Sequence, residues 1–89
     1  MANTFHLTIA SVGETRFDGP ALSATIPTMG GEITVLAHHE PLVATLRKGT
    51  ITVRAPAQAG EHAAPSGGKE FPIENGVLEI SGNRAVVLL

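Results

Sequence analysis

The chain has 89 residues, 43% of them apolar, with three Phe, no Tyr, no Trp and no cysteine. This length predicts one small domain over residues 1–89 and excludes multi-domain enzymes, barrels of eight βα units and doubly wound nucleotide folds; the lack of cysteine excludes disulfide frameworks, Cys-based zinc sites and thiol catalysis. A formal net charge of −2, from six Lys plus Arg against eight Asp plus Glu, argues against a nucleic-acid binder that neutralises several phosphates.

Strand chemistry runs from end to end, with Thr, Val and Ile making up about a quarter of the residues. Phe5, Leu7 and Ile9 alternate with His6 and Thr8, the period-two pattern of a half-buried strand. Asp18-Gly19-Pro20 predicts a turn, and Leu22-Ala24-Ile26 alternates after it. Met29-Gly30-Gly31 predicts a second turn, with Glu32 beside it and the apolar strand Ile33–Leu36 beyond. His39-Glu40-Pro41 then forms a polar corner in which Pro41 holds Glu40 extended, ahead of the apolar Leu42-Val43. Ile51 and Val53 alternate with threonines. The segment Ala55–Gly68 is rich in Ala, Pro and Gly without periodicity, and is expected to be a long mobile hairpin loop joining strands Thr50–Arg54 and Lys69–Ile73. Asn75-Gly76 and Gly82-Asn83 are hairpin signals, the former suiting a type I′ turn, so the last third is expected to be a three-strand meander. Gly or Pro interrupts nearly every window that could hold a helix. Seven to nine short strands with a turn signal about every ten residues predict an all-β sandwich or small barrel.

Signs of chemistry are few. His38-His39-Glu40 is the densest group of candidate metal ligands, with His6 or His62 as additional donors. On a strand, however, adjacent histidines point to opposite faces, and the spacing is not that of a zinc site. No serine sits in a Gly-x-Ser-x-Gly elbow, and the glutamates are scattered over different turns and strands. Gly67-Gly68-Lys69 is followed by Glu70 where a phosphate loop needs Ser or Thr. These residues point to no enzyme, cofactor or metal. No apolar run nears the roughly 18 residues of a membrane span, and Met1-Ala2-Asn3-Thr4 does not open like a secretory signal. A soluble intracellular chain is expected.

Taken in order, five blocks resemble the epsilon subunit of F-type ATP synthases. Gly31-Glu32-Ile33-Thr34-Val35-Leu36-Ala37-His38-His39-Glu40-Pro41-Leu42 is similar to the family's G-E-[LMI]-x-[IV]-[LY]-x-[GN]-H-x-P-L segment. Phe5-His6-Leu7 through Phe17 to Gly19 resembles its opening strand and F-x-G turn, and Lys48 to Val53 its P-G-x-[IVL]-x-[IVL] strand. Phe71 to Ile80 and Asn83 to Leu88 resemble its last two blocks, so that only Ala55–Gly68 lies outside the likeness. The resemblance implies a small β-sandwich of about eight to ten short, mostly antiparallel strands. It also implies a non-catalytic part of the central stalk that docks on the gamma subunit and the c-ring and helps couple proton transport to ATP synthesis. Such a subunit sits peripherally on the cytoplasmic face of an energy-coupling membrane, the bacterial inner membrane. The alternative is a generic β-sandwich that binds a ligand, with a His-based metal site.

The same resemblance assigns Glu32 to the loop facing the c-ring, and His39 to the same lower end, near gamma and the ring. Ser11 falls on the side where gamma packs. His38, Glu40, Pro41 and Leu42 complete the expected partner contacts, with the apolar anchors at Pro41-Leu42 carrying more of the binding than the exposed charges. His38 stands where the family has Gly or Asn, Glu40 adds a charge, and Ala55–Gly68 is longer than the usual connection. Family members commonly continue into a helical hairpin that can bind ATP and inhibit hydrolysis. A chain ending at Leu89 is therefore expected to be a short form lacking both activities.

Overall fold

The computed structural model describes residues 3–56 and 68–89. Every regular element among them is a strand: β1 (Phe5–Ser11), β2 (Glu14–Ala21), β3 (Ser23–Thr28), β4 (Gly31–Leu36), β5 (Leu42–Leu46), β6 (Gly49–Arg54), β7 (Gly68–Ile73), β8 (Gly76–Ser81) and β9 (Arg84–Leu88). They form one curled sheet in the order β2-β1-β9-β8-β5-β3-β6-β7, with β4 on the other side of β3. All pairs are antiparallel except β1 with β9. The expected all-β sandwich of mostly antiparallel strands is what the chain adopts.

Alternation builds the core. Phe5, Leu7 and Ile9 of β1, Leu78 and Ile80 of β8, and Ala85 and Val87 of β9 meet Ala24 and Ile26 of β3 and Ile51 and Val53 of β6 in one buried cluster. The curl brings the edge strands β2 and β7 together, where Phe17 meets Phe71 edge-on at 6.1 Å between ring centroids. Lys69 Nζ lies 5.7 Å from the centroid of the Phe17 ring, closing the same seam. Burial of polar atoms is fully compensated: among the described residues no buried side-chain nitrogen or oxygen lacks a hydrogen bond.

The joint between the two halves explains an awkward proline. β3 pairs with β6 through Ser23–Thr25 and with β5 only at Thr28–Leu46. Pro27 falls in the gap, where its missing N–H costs no ladder bond, and its carbonyl accepts the Arg47 N–H at 3.2 Å. The pyrrolidine ring packs so near Gly49 that a β-carbon there would lie 2.9 Å from Pro27 Cγ.

Two expected turns are corrected. Asp18-Gly19-Pro20 lies inside β2, with Pro20 opposite His6; an edge strand has a free side for a proline. The turn here is instead at Val12-Gly13, where Gly13 has φ 77°. The last third is a hairpin, β8–β9, rather than a three-strand meander. β7 pairs with β6 in the other half of the sheet, and Asn75-Gly76 carries the chain across the sandwich. Gly76 is needed for a packing reason, since a β-carbon would sit 2.7 Å from the Leu88 carbonyl oxygen. β6 and β7 do form the antiparallel pair expected on either side of Ala55–Gly68. Most of that segment, residues 57–67, lies outside the described residues, as does His62.

Candidate functional site

The expected partner residues divide between the two ends of the sandwich. Register carries the first end across the sheet: Ala10 pairs with Leu88, Leu88 with Val77, Gly76 with Leu46, and Leu46 with Thr28. Ser11 and the β3–β4 turn therefore share an end. Thr28 builds that turn from the inside. It is buried, and its hydroxyl donates to the Gly31 carbonyl at 2.5 Å and accepts the Gly30 N–H at 3.2 Å. Gly31 turns with φ 128°, and Glu32 then stands exposed opposite Pro27. Met29 at the tip is 66% exposed, and Val12 in the neighbouring turn is 99% exposed. Ser11 is half-buried, and its Oγ accepts a long hydrogen bond from Arg16 Nε at 3.4 Å.

His38, His39, Glu40, Pro41 and Leu42 lie at the opposite end. Leu42 pairs with Ile80, Ser81 with Arg84 and Arg84 with His6, so this corner stands beside the β8–β9 turn and the start of β1. The expectation that Glu32 and His39 share an end is thus overturned: the four residues of β4 that follow Glu32, Ile33–Leu36, separate them by about 13 Å of strand. One is just past the strand's start and the other past its finish. His38 has φ 63°, a left-handed conformation that explains why the family pattern has Gly or Asn there. Its N–H donates to Asn83 Oδ1 at 2.7 Å, and the His39 N–H donates to the Leu36 carbonyl at 3.2 Å. His39 Nδ1 lies 2.8 Å from the Glu40 carbonyl oxygen. A carbonyl can only accept, so Nδ1 is the donor in this contact. Glu40 and Pro41 are exposed, whereas Leu42 packs against the core.

Between the ends, the outer face of β5, β8, β9 and β1 carries apolar side chains. Val43 is 71%, Leu88 57% and Val77 44% exposed. Register places Val77 directly between Thr45 and Leu88, and Glu79 between Val43 and Val86. Toward β2 the face becomes charged. His6 Nε2 donates to Asp18 Oδ1 at 2.6 Å, and Thr8 Oγ1 donates to the same oxygen at 3.2 Å. The His6 hydrogen bond first, and the Thr8 one second, hold the Asp18 carboxyl below its ordinary value. Among the described residues no three of His, Asp and Glu come together as a metal site would require. What these residues present is two ends and a partly apolar outer face.

Residues 4–89 match the family described as ATP synthase, Delta/Epsilon chain, beta-sandwich domain. The chain belongs to that family. The ATP synthase epsilon chain of Nitrosomonas europaea is 33% identical over 86 residues, covering 97% of this chain and 61% of the relative. That of Thioalkalivibrio sulfidiphilus is 32% identical over 88 residues, covering 99% and 57%. The chain thus spans about three-fifths of the length of these epsilon chains. Its fold is similar to that of a chain in the structure of the Euglena gracilis mitochondrial ATP synthase, OSCP/F1/c-ring, with a TM-score of 0.79 at 23% identity, over 99% of this chain and 51% of that one. A chain of the Tetrahymena thermophila mitochondrial ATP synthase central stalk/c-ring gives a TM-score of 0.70 at 17% identity, over 93% and 60%.

Family membership accounts for the motif at Gly31–Leu42, but two features of the surface escaped a motif reading. The apolar outer face was visible only as residues out of phase with the core, Val43 and Val77 at positions where alternation expects polar side chains. Asn83 reads as a turn residue, and nothing local announces what its side chain reaches.

Proposed function

We propose that this chain is the β-sandwich of an F-type ATP synthase epsilon subunit, a central-stalk element that docks on the gamma subunit and the c-ring. In this role it helps couple proton transport to ATP synthesis and catalyses nothing itself. The observation that carries the reading is the family match across residues 4–89, which takes in all nine strands. The surfaces fit a stalk element, which must meet a ring and a shaft at the same time. Glu32 and Met29 form the blunt end offered to the polar loops of the ring, and Ser11, at the same end, lies on the side offered to gamma. The His38–Leu42 corner and the apolar face of Val43, Val77 and Leu88 form a side offered to gamma, with desolvation of the apolar side chains supplying most of the affinity. The His6–Asp18 pair at its margin and Glu79 within it set register. Localisation follows from the complex: peripheral, on the cytoplasmic face of the bacterial inner membrane, held there by the partners.

Co-expression with the cognate gamma subunit tests the proposal. A one-to-one complex that survives gel filtration is expected, with about 1,200–2,000 Å² buried. Absence of a complex at micromolar concentrations would overturn it.

A further inference from the structure

We infer that Asn83 is the positioning residue of the His38–Leu42 corner, presetting it for a partner through a hydrogen bond to the His38 N–H. The inference rests on the docking reading above and adds to it a residue outside the matched corner motif. Asn83 sits in the β8–β9 turn with φ 61°, after Gly82 at φ 58°. A turn of that shape asks only for residues that tolerate positive φ, and Gly would serve it as well as Asn. The side chain does more than the turn requires. Its Oδ1 accepts the N–H of His38, 45 positions away, at 2.7 Å, and its Nδ2 donates to the Thr4 carbonyl, 79 positions away, at 3.0 Å. Its main-chain carbonyl accepts the His6 N–H at 3.2 Å. One residue therefore joins the start of β1, the β8–β9 turn and the β4–β5 corner.

The residue it holds in the corner is the one that most needs holding. His38 is exposed and carries a side chain in a left-handed conformation that such residues seldom adopt. The short bond from its N–H to Oδ1 falls on that strained residue itself. Beyond it the corner is fixed in sequence: the His39 N–H is bonded to the Leu36 carbonyl, and the ring Nδ1–H to the Glu40 carbonyl. A corner ordered before encounter gives up less conformational freedom when a partner closes over it. Asn83 thus acts on docking through His38.

Two substitutions separate the functions of the side chain. Asn83→Gly keeps the backbone conformation and removes both side-chain bonds. Asn83→Asp keeps the acceptor for His38 and removes the donor to Thr4. In the 89-residue chain, Asn83→Gly should speed amide exchange at His38 by about tenfold or more, and weaken the gamma complex by about tenfold. Asn83→Asp should keep the His38 amide protected and most of the affinity. Wild-type exchange at His38 in Asn83→Gly would overturn the inference, as would lost protection with unchanged affinity for gamma. Equal losses in both variants would overturn the role of the acceptor, and this comparison also decides the matter if Asn83→Gly lowers global stability, since Asn83→Asp retains the turn. Failure of the wild-type chain to bind gamma would overturn the docking reading instead, and is distinguished by its independence of residue 83.

Discussion

The two ends of the sandwich are built by different means. At the Glu32 end, order comes from close by in sequence: Thr28 bonds to Gly30 and Gly31, and the glycine supplies the backbone angle. At the His38 end, order comes from far away, through Asn83 to positions 45 and 79 residues distant. A locally built turn is formed as soon as its strands pair. A corner held from a distance is formed only when the whole sheet has closed, because its anchor lies on another hairpin. The first end should therefore answer to changes in a few neighbouring residues, and the second to changes anywhere that disturb the closure.

The largest break in this contrast is expected at Gly76, where the chain crosses between the halves. A β-carbon there meets the Leu88 carbonyl oxygen at 2.7 Å, and backbone cannot swing aside as a side chain can. Gly76→Ala should cost about 3 kcal/mol and lower the melting temperature by about 15 °C. Because β8 pairs with both β5 and β9, the damage should reach both ends, exposing the His38 amide as well as the β3–β4 turn. Melting temperature and site-resolved hydrogen exchange measure it; a loss below about 1 kcal/mol would mean that the β9 terminus yields readily.

A smaller and more local effect sharpens the contrast. Thr28→Val conserves shape, removes the hydroxyl that organises the turn and leaves the Gly30 N–H without its partner. The expected cost is about 1–2 kcal/mol, seen as a fall in urea midpoint. Amide protection should drop at Gly30 and stay at wild-type level at His38. Equal losses at the two positions would show that the ends are not independent.

Legibility in the sequence followed the same division. The strands, the class of fold and the Met29–Glu32 turn were readable because each is written within a few residues: alternation for the strands, adjacent glycines for the turn. Gly82-Asn83 was readable as a hairpin for the same reason. Asn75-Gly76 carries an equally good local signal and was misplaced, since which strand β7 pairs with is decided by the curl of the sheet and not by the residues between it and β8. Glu32 and His39, expected at the same end, are parted for a related reason: both belong to one motif, yet a strand runs between them and places them at opposite ends. His38 shows the reverse case, in which a departure from the pattern Gly or Asn is made tolerable by an interaction that no window around residue 38 contains.

The smallest expected effect lies on the flank of the distant-built end, at Asp18. Its carboxylate accepts hydrogen bonds from the His6 ring and the Thr8 hydroxyl, and both favour the ionised form in the folded chain. The folded pKa is therefore depressed below the ordinary value of 3.8, so at acid pH the unfolded chain binds more protons than the folded one. Stability contributed by this pair is complete above the unfolded pKa and is lost as pH falls through the folded one. The group is exposed, so the effect is a modest change of slope in an acid titration of stability, further reduced by salt. Asp18→Asn should flatten that slope below pH of about 4 and lower stability at neutral pH by the small amount that the wild-type chain loses in acid, the two converging at low pH. His6→Ala should remove more of the slope than Thr8→Val, because the His6 bond is the larger cause. Urea denaturation at a series of pH values measures all three; identical slopes in wild type and Asp18→Asn would show that the cross-strand bonds are too mobile in solution to favour one protonation state.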